Sequence, residues 1–182
     1  MLLGSKDLYL SYQYLQVPWG LILVAGNENG LAALYPSNLL SKQCKVKLLC
    51  MLKASFPHYQ LAHTALPASC GTESLRTIFS ALSKDSWSEL ANLPYQLIGS
   101  DFQVKVWRSI ASVNWGDTVS YSDVAKQLHQ PNAVRAVANA IARNHLSILI
   151  PCHRVISKSG QLSGYRWGVD LKRQLLAQEL RE

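Results

Sequence analysis

The sequence predicts a mixed α/β domain over residues 1–98 and a mainly α-helical domain over residues 99–182. Two observations carry this prediction. Short apolar runs alternate with turn residues in the first half, whereas apolar residues recur at helical spacing after Asp101. A length of 182 residues is enough for two small domains that bury a sizeable core.

Strands and helices are mixed in the first half of the chain. Pro-Trp at 18–19 and Asn-Glu-Asn-Gly at 27–30 separate runs rich in Tyr, Leu, Ile and Val, a pattern typical of an antiparallel meander. The predicted strands cover residues 8–17, 20–25, 31–35 and 95–98, and the predicted helices cover 41–56 and 72–82.

The second half begins after Gly99-Ser100 with a helix that presents an apolar face. Trp-Gly-Asp at 115–117 ends it. Ser120 and Asp123 fit a capping box at the start of a short helix, and a tight turn at 130–132 leads to a second helix over 133–143. Two short helices joined in this way predict a helix-turn-helix. Beyond it we expect a buried strand at 148–150 and a last helix that Asp170 caps, with Leu171, Leu175, Leu176 and Leu180 as its apolar stripe.

A net charge of +7 and a pI near 9.3 favour a polyanionic partner, and nucleic acid fits better than an anionic membrane. The second helix of the helix-turn-helix contains Arg135 and Arg143 and no acidic residue, which suits phosphate contact. A plain helical hairpin packed on a core explains these two helices equally well. No apolar run resembles a signal peptide or spans a bilayer, so we expect a cytoplasmic protein without a membrane partner.

Cys152 is the candidate nucleophile among four cysteines that do not suggest a disulfide framework. It follows the apolar run and Pro151, which ends regular strand pairing. A thiol in apolar surroundings is inert unless a base activates it. His153 is the obvious base, but neighbours on a strand point to opposite faces, so their contact requires a turn or a bridging water. Glu179 borders the buried face of the last helix and could orient His153.

A structural cysteine, a surface histidine and an exposed glutamate would explain the same residues without any chemistry. Two further alternatives remain open. One is a cysteine hydrolase that uses Cys152 and His153, and the other is a protein that binds damaged bases without repairing them.

Several motifs together resemble the O6-alkylguanine-DNA alkyltransferase family, most of all its bacterial adaptive-response type. The resemblance is specific over residues 101–182 and looser over the first half. It implies a ribonuclease H-like N-terminal domain and a winged helix-turn-helix. The matching motifs are Pro-Cys-His-Arg-Val at 151–155, Gly-Ser-Asp-Phe-Gln at 99–103, Gly-Asp-Thr-Val-Ser-Tyr at 116–121, Arg-Ala-Val-Ala at 135–138 and Leu-Ser-Gly-Tyr-Arg-Trp-Gly at 162–168.

The resemblance implies DNA repair by direct transfer of an alkyl group, typically methyl, from O6-alkylguanine and also O4-alkylthymine to Cys152. The transfer would be stoichiometric and irreversible and would follow base flipping, so the protein would be a single-turnover methyltransferase without a cofactor. The partner would be double-stranded DNA bound in the minor groove. We expect a monomer and leave cooperative binding along DNA open.

The resemblance also assigns roles to individual residues. Cys152 would accept the alkyl group, with His153 and Glu179 activating it through water, and Asn144 would brace the turn before the active-site segment. Arg135 would enter the duplex and Tyr121 would press on the phosphate of the lesion. The loop residue Tyr165 would close over the flipped base, and backbone groups near Val155 would read the edge of that base. Gln130, Ser122 and Lys158 would be weaker candidates for contacts with the DNA backbone.

Two positions and the question of a metal qualify the resemblance. His145 stands where the family often has a proline after the hinge asparagine, and Asn114 stands where a proline is common. Some relatives carry a structural zinc. Cys44, Cys50, His58 and His63 are near one another in this sequence, but the gap between the cysteines is not a usual zinc spacing, so we expect no metal.

Overall fold

The computed structural model describes residues 8–162 and 164–180. Residues 1–7, which bear on the expected lack of a signal peptide, and Ser163 of the Leu-Ser-Gly-Tyr-Arg-Trp-Gly motif lie outside the described residues. The elements are β1 (Tyr9–Val17), β2 (Gly20–Asn27), β3 (Gly30–Ser37), α1 (Lys42–Ser55), β4 (Gln60–Ala62), α2 (Thr72–Ser80), α3 (Lys84–Ala91), α4 (Asp101–Ala111), β5 (Val119–Ser120), α5 (Tyr121–Gln127), α6 (Val134–Ala142), β6 (Val155–Ile156) and α7 (Val169–Glu179), with 3₁₀ helices at Ala68–Cys70 and Cys152–Arg154.

The first half is built on a four-stranded sheet in the order β3-β2-β1-β4. The pairs β1–β2 and β2–β3 are antiparallel, which confirms the predicted meander. The short strand β4 was not predicted; it pairs in parallel with β1 after the chain crosses over through α1. Gly30 begins β3 with a φ of +106°, and a Cβ there would overlap the carbonyl of Pro94.

Two predictions for residues 72–98 are wrong. Residues 95–98 do not form a strand, because their pairing is limited to one isolated bridge between Leu31 and Tyr95. The amide and carbonyl of Leu31 take up the bonds to Pro94 and Gln96, at 2.8 Å each, and the pairing goes no further. A helix that the sequence analysis left as irregular chain, α3, begins at a capping box formed by Ser83 and Ser86.

Helices dominate the second half, as predicted. Capping boxes begin α4 and α5, at Ser100 with Gln103 and at Ser120 with Asp123. Trp107 of α4 is buried and its indole nitrogen donates to the Ala140 carbonyl of α6 at 2.8 Å. The strands β5 and β6 pair in parallel, so the start of α5 is attached to the segment that follows Cys152.

Two details of this half differ from the expectation. The apolar run 148–150 is buried but is a turn rather than a strand, with Ile148 at a φ of +77° and short bridges from Leu34 to Leu146 and from Ser147 to Ile150. Gly168, not Asp170, occupies the N-cap of α7. The exposed Asp170 instead pairs with Arg173 at 2.7 Å.

The apolar stripe predicted for α7 is also partly wrong. Leu171 and Leu175 are buried, but Leu180 is 78% exposed. Lys172 and Glu179 take the remaining buried positions of the helix, because they contact the segment around Cys152.

One apolar cluster joins the two halves of the chain. It contains Ile22 and Leu34 of the sheet together with Trp107, Val137 and Leu171 of the helices. Within residues 8–162 and 164–180, no helix is both long and apolar enough to cross a membrane.

Candidate active site

Cys152 begins a single 3₁₀ turn, with Pro151 at its N-cap, and only 5% of the residue is exposed. Its backbone amide donates to the carbonyl of Ile150 at 2.7 Å. The expectation of a buried, fixed thiol at the end of the apolar run is therefore confirmed, although a turn rather than a strand leads into it.

The thiol lines a cavity of about 390 Å³. This volume lies within the range of small-molecule sites. Residues of α5, α6 and the loop before α7 form most of the wall: Tyr121, Ala138, Asn139, Ile141, Ala142, Asn144, Cys152, Gly164, Tyr165, Arg166 and Trp167.

Asn144 is buried and connects the end of α6 to the thiol. Its amide nitrogen donates to the carbonyl of Ile150 at 2.9 Å and lies 3.3 Å from the sulfur of Cys152. Its side-chain oxygen accepts from the amide of Leu146 at 2.9 Å. These bonds fix the turn that carries Cys152, because without Asn144 the buried Leu146 amide would lose its acceptor and the Ile150 carbonyl would keep only its bond from the Cys152 amide.

Two hydroxyl groups lie near the sulfur of Cys152. Ser147 is fully buried, and its oxygen lies 3.7 Å from the sulfur of Cys152 and 3.0 Å from the hydroxyl of Tyr165. Burial raises the pKa of Tyr165 well above its usual value, with a smaller contribution from Cys152. Tyr165 is therefore a neutral hydrogen-bonding group beside the thiol.

His153 and Glu179 form a hydrogen bond of 2.6 Å in the interior, and both are at most 5% exposed. Burial lowers the pKa of His153 and outweighs the effect of Glu179, which raises it. Burial alone would raise the pKa of Glu179, but hydrogen bonds and charge from His153 and Arg154 lower it. The pair is thus a neutral imidazole and a carboxylate.

The protonation of this pair leaves a free base on the ring of His153. A carboxylate can only accept, so the proton of the neutral imidazole resides on Nε2 and Nδ1 keeps its lone pair. This Nδ1 is buried and has no hydrogen-bond partner in the described part of the chain. In the described part of the chain no hydrogen bond joins the ring of His153 to the sulfur of Cys152, although both residues belong to one 3₁₀ turn and not to a strand.

Arg154 was missed as a functional candidate, although it stands within the Pro-Cys-His-Arg-Val motif. Its fully buried guanidinium donates to both oxygens of Glu179, with a shortest distance of 2.9 Å, and to the carbonyl of Val113 at 2.6 Å. It also stacks over Trp87 at 4.3 Å. The only signal in the sequence was its place in the motif, since its partners are distant along the chain.

Lys172 of α7 received no role in the sequence analysis. It is fully buried, and its ammonium donates to the carbonyl of Val155 at 2.6 Å. Burial lowers the pKa of Lys172, whereas the nearby Cys152 raises it. Val155 itself is buried, and its amide donates back to the carbonyl of Cys152.

The remaining candidates lie at different distances from the thiol. Tyr121 lines the cavity and is half-buried, whereas Arg135 is exposed on α6. Gln130 is exposed in the turn between α5 and α6, and Lys158 is exposed after β6. Ser122 is half-buried, and its hydroxyl is 2.8 Å from that of Ser120. These last four do not line the cavity.

No group of three or more His, Cys, Asp or Glu side chains is arranged to hold a metal ion among residues 8–162 and 164–180. Cys44 is buried with a free thiol, and Cys50 is exposed on the outer side of α1.

Comparisons with known proteins agree with this geometry. The family model described as 6-O-methylguanine DNA methyltransferase, DNA binding domain, matches residues 101–181. The Bifunctional transcriptional activator/DNA repair enzyme Ada of Escherichia coli is 36% identical over 176 residues, which cover 97% of this chain and 47% of that protein. The chain thus spans about half the length of that relative.

Other relatives match along almost their whole length. The methylated-DNA–protein-cysteine methyltransferase of Debaryomyces hansenii is 35% identical over 182 residues, which cover 96% of this chain and 93% of that protein. A single-residue variant of Mycobacterium tuberculosis OGT is 31% identical, with a TM-score of 0.68 and coverage of 93% of this chain and 92% of that one. The same mycobacterial protein has also been solved in complex with DNA, with 27% identity, a TM-score of 0.67 and coverage of 94% and 92%.

The agreement in fold extends over both the N-terminal sheet and the helical C-terminal part. Sequence identity also extends over nearly the whole of a relative of similar length. The chain therefore belongs to the methylated-DNA–protein-cysteine methyltransferase family.

Proposed function

We propose that this protein repairs DNA by moving an alkyl group, typically methyl, from O6 of guanine to the sulfur of Cys152. The observation that carries the proposal is a buried thiol that lines a cavity of about 390 Å³ and is followed in the chain by a histidine that is hydrogen-bonded to a buried carboxylate. O4-alkylthymine is a second substrate of the same chemistry, since its alkyl carbon is also bonded to an exocyclic ring oxygen.

The reaction is a single displacement at the alkyl carbon. The carbon–sulfur bond forms while the carbon–O6 bond breaks, and its electron pair goes to the guanine. The proton of the thiol moves through a bridging water to Nδ1 of His153, whose positive charge Glu179 then stabilises, and a proton returns to the guanine as it leaves. The product is a thioether, which has no carbonyl for water to attack, so each molecule acts once.

Double-stranded DNA is the partner in this proposal. Guanine within a duplex hides its O6 substituent, so the base must be extruded into the cavity at a cost of a few kcal/mol. The helices α5 and α6 lie beside the cavity, and α6 has Arg135 on its exposed face. We assign Arg135 to the gap left in the stack, Tyr121 to the phosphate of the lesion, and Gln130, Ser122 and Lys158 to the DNA backbone.

Roles inside the cavity follow from the contacts. Asn144 positions the turn that carries Cys152, and Tyr165 covers the bound base. The carbonyl of Val155 faces Lys172 in the unbound protein, and reading the edge of a base there requires this carbonyl to accept a second bond or to exchange its partner. Carbonyl oxygens have two lone pairs, so a second bond is chemically available.

The finer architecture is part of the same proposal. Residues 1–98 form a support domain of ribonuclease H-like type, and residues 99–182 form a domain with a winged helix-turn-helix that binds DNA through the minor groove. The protein acts as a monomer in the cytoplasm, where its DNA substrate is available to it.

One measurement tests the chemistry. The protein is mixed with a duplex oligonucleotide that carries O6-methylguanine, and its intact mass and tryptic peptides are determined. We expect a gain of one methyl group, located on the peptide of Cys152. Cys152→Ala should bind the duplex without any gain in mass, whereas Cys50→Ala, which removes an exposed thiol, should react like the unchanged protein.

Two other outcomes would overturn the proposal. Repeated turnover of an ester or amide substrate, with Cys152 regenerated, would indicate a hydrolase. Tight binding of the lesion with the mass unchanged would indicate a protein that recognises damage without repairing it.

A further inference from the structure

The loop before α7 forms one wall of the cavity but has little backbone support. Gly164, Tyr165, Arg166 and Trp167 all line the cavity. Gly164 and Gly168, which flank residues 165–167, have positive φ angles of 38° and 97°, and a Cβ at either position would meet nothing within 4 Å. The position of this wall therefore depends on its side chains.

Two of these side chains reach the N-terminal half of the chain. The ring of Trp167 lies 4.8 Å from the ring of Tyr35, measured between centroids. The guanidinium of Arg166 lies 5.1 Å from the same ring and donates to the hydroxyl of Ser55 at 3.3 Å. Tyr35 is on β3 and is fully buried, and Ser55 is the last residue of α1. We call Tyr35, Arg166 and Trp167 the loop anchor.

Through its hydroxyl, Tyr35 also contacts the residue next to Asn144, which lines the cavity. This oxygen forms a hydrogen bond of 2.9 Å with Nδ1 of His145. His145 directly follows Asn144, whose amide lies 3.3 Å from the sulfur of Cys152. The backbone of β3 reinforces this contact, since the amide of Leu34 donates to the carbonyl of His145 at 2.7 Å. A single residue of the sheet thus contacts both the loop and the residue that follows Asn144.

We propose that Tyr35 is a positioning residue that holds the loop before α7 and the turn at Asn144 at a fixed separation. The N-terminal half would thereby set the width of the cavity that contains Cys152. The inference rests on the proposed alkyl transfer and adds a determinant of its selectivity. With the anchor in place, the loop confines a base that carries a small alkyl group. Without it, the loop moves away and the cavity admits larger groups.

The physical reason is the strict geometry of displacement. The sulfur must approach the alkyl carbon to within about 3–3.5 Å and in line with the breaking bond, and a misplacement of about 1 Å can lower the rate roughly 100-fold. A methyl group makes few contacts with the cavity, so the alignment of its carbon with the sulfur depends on a rigid wall. A benzyl group brings its own contacts, and a wider cavity hinders it less.

The test compares two substrates in single-turnover reactions. Tyr35→Leu should slow reaction with duplex O6-methylguanine by roughly 10- to 100-fold and slow reaction with free O6-benzylguanine much less, so the ratio of the benzyl to the methyl rate constant rises. Tyr35→Phe keeps the ring contacts with the loop but removes the hydroxyl that bonds to His145, so the ratio should rise less than in Tyr35→Leu. Tyr14→Leu, at a half-buried tyrosine on β1 whose hydroxyl donates to the carbonyl of Lys45, is the matched control and should leave the ratio unaltered. Equal losses on both substrates in Tyr35→Leu would overturn the proposal.

A second measurement does not depend on alkyl transfer. Cys152 is labelled with a small and with a bulky thiol reagent, and peptide mass spectrometry compares it with Cys70, a buried thiol whose pKa burial raises to about 11. Tyr35→Leu should accelerate bulky labelling of Cys152 selectively. If Cys70 also becomes reactive, the variant has opened the fold and its labelling does not test the proposal. In that case Arg166→Gln, which removes the stacked cation at a half-buried position, replaces Tyr35→Leu in the labelling experiment.

The alkyl-transfer rates and the thiol labelling together distinguish a failure of the loop anchor from a failure of the proposed function. If the unchanged protein accepts no methyl group while the anchor variants still accelerate bulky labelling, the anchor is supported and the proposed function fails. If methyl transfer occurs but neither variant changes the labelling, the proposed function stands and the anchor is overturned.

Discussion

At the scale of single residues, the site depends on a buried charge arrangement that tolerates no loss of a partner. Glu179 accepts hydrogen bonds from His153 and from Arg154, and all three side chains are almost fully buried. A buried ion pair such as that of Glu179 and Arg154 adds little net stability compared with apolar residues, but removal of one member leaves an uncompensated charge.

Glu179→Gln tests this arrangement. The change leaves Arg154 charged and buried without its carboxylate, so we expect the free energy of unfolding to fall by about 3–5 kcal/mol. Alkyl transfer should slow by roughly 10²- to 10⁴-fold, because the imidazolium that forms on His153 loses its stabilising charge. Urea denaturation and single-turnover kinetics measure the two effects. Glu73→Gln, at a side chain that is 94% exposed, is the control and should change stability by less than about 0.5 kcal/mol.

Asn144 gives a second prediction at this scale. Asn144→Ala removes the partner of the buried Leu146 amide and one of the two donors to the Ile150 carbonyl, and an unsatisfied buried group costs about 1–3 kcal/mol. We expect a lower melting temperature and faster hydrogen exchange at the Leu146 amide. Asn144→Asp retains the oxygen that accepts from the Leu146 amide and should preserve the protection of that amide. Unaltered protection of the same amide in Asn144→Ala would contradict the assigned role.

At the scale of secondary-structure elements, the question is what α6 contributes beyond packing. Its inner side, with Val137, Ala140 and Ile141, is buried, and Arg135 lies on the exposed side. Replacement of an exposed residue of this kind should have little effect on folding. The function of Arg135 can therefore be tested by substitution without loss of the folded structure.

Arg135→Ala should slow repair of O6-methylguanine in a duplex far more than the reaction with free O6-benzylguanine, because the free base needs no extrusion. Single-turnover rate constants on both substrates measure the difference. Arg173→Ala removes an exposed arginine from α7, where its partner is Asp170, and should affect neither reaction. Equal losses on both substrates in Arg135→Ala would discredit a role in base flipping.

At the scale of the whole molecule, the interface between the two halves creates a dependence of stability on pH. Burial, followed by the charge of Arg166, lowers the pKa of His145 from 6.5 to about 4. The unfolded chain therefore binds a proton at a higher pH than the folded chain does. The stabilisation is present above pH 6.5 and is lost as the pH falls toward about 4.

His145→Gln should flatten this part of the stability curve. One pKa unit corresponds to about 1.4 kcal/mol, so His145 alone accounts for a loss on the order of 3 kcal/mol on acidification. Melting temperatures measured between pH 7 and 4, flanking the values for His145, give the comparison. A variant with the same slope as the unchanged protein would show that other groups dominate.

The sequence predicted most elements because their signals are local. Capping pairs such as Ser100 with Gln103 and helical spacing of apolar residues act within a few positions. It failed at residues 148–150, where three consecutive apolar side chains indicate burial but not the backbone shape. It also failed at Leu180, since nothing in the helical pattern reveals where the neighbouring elements end.

The sequence by itself determined the chemistry of the site. A cysteine between a proline and a histidine, with a glutamate in the last helix and an arginine-bearing helix upstream, follows from residue types and their order. Only the tertiary structure decided that Arg154 lies against Glu179 and that Tyr35 meets His145, 110 residues further along the chain. Motifs depend on neighbours in the chain, whereas burial, protonation and the walls of a cavity depend on packing between distant segments.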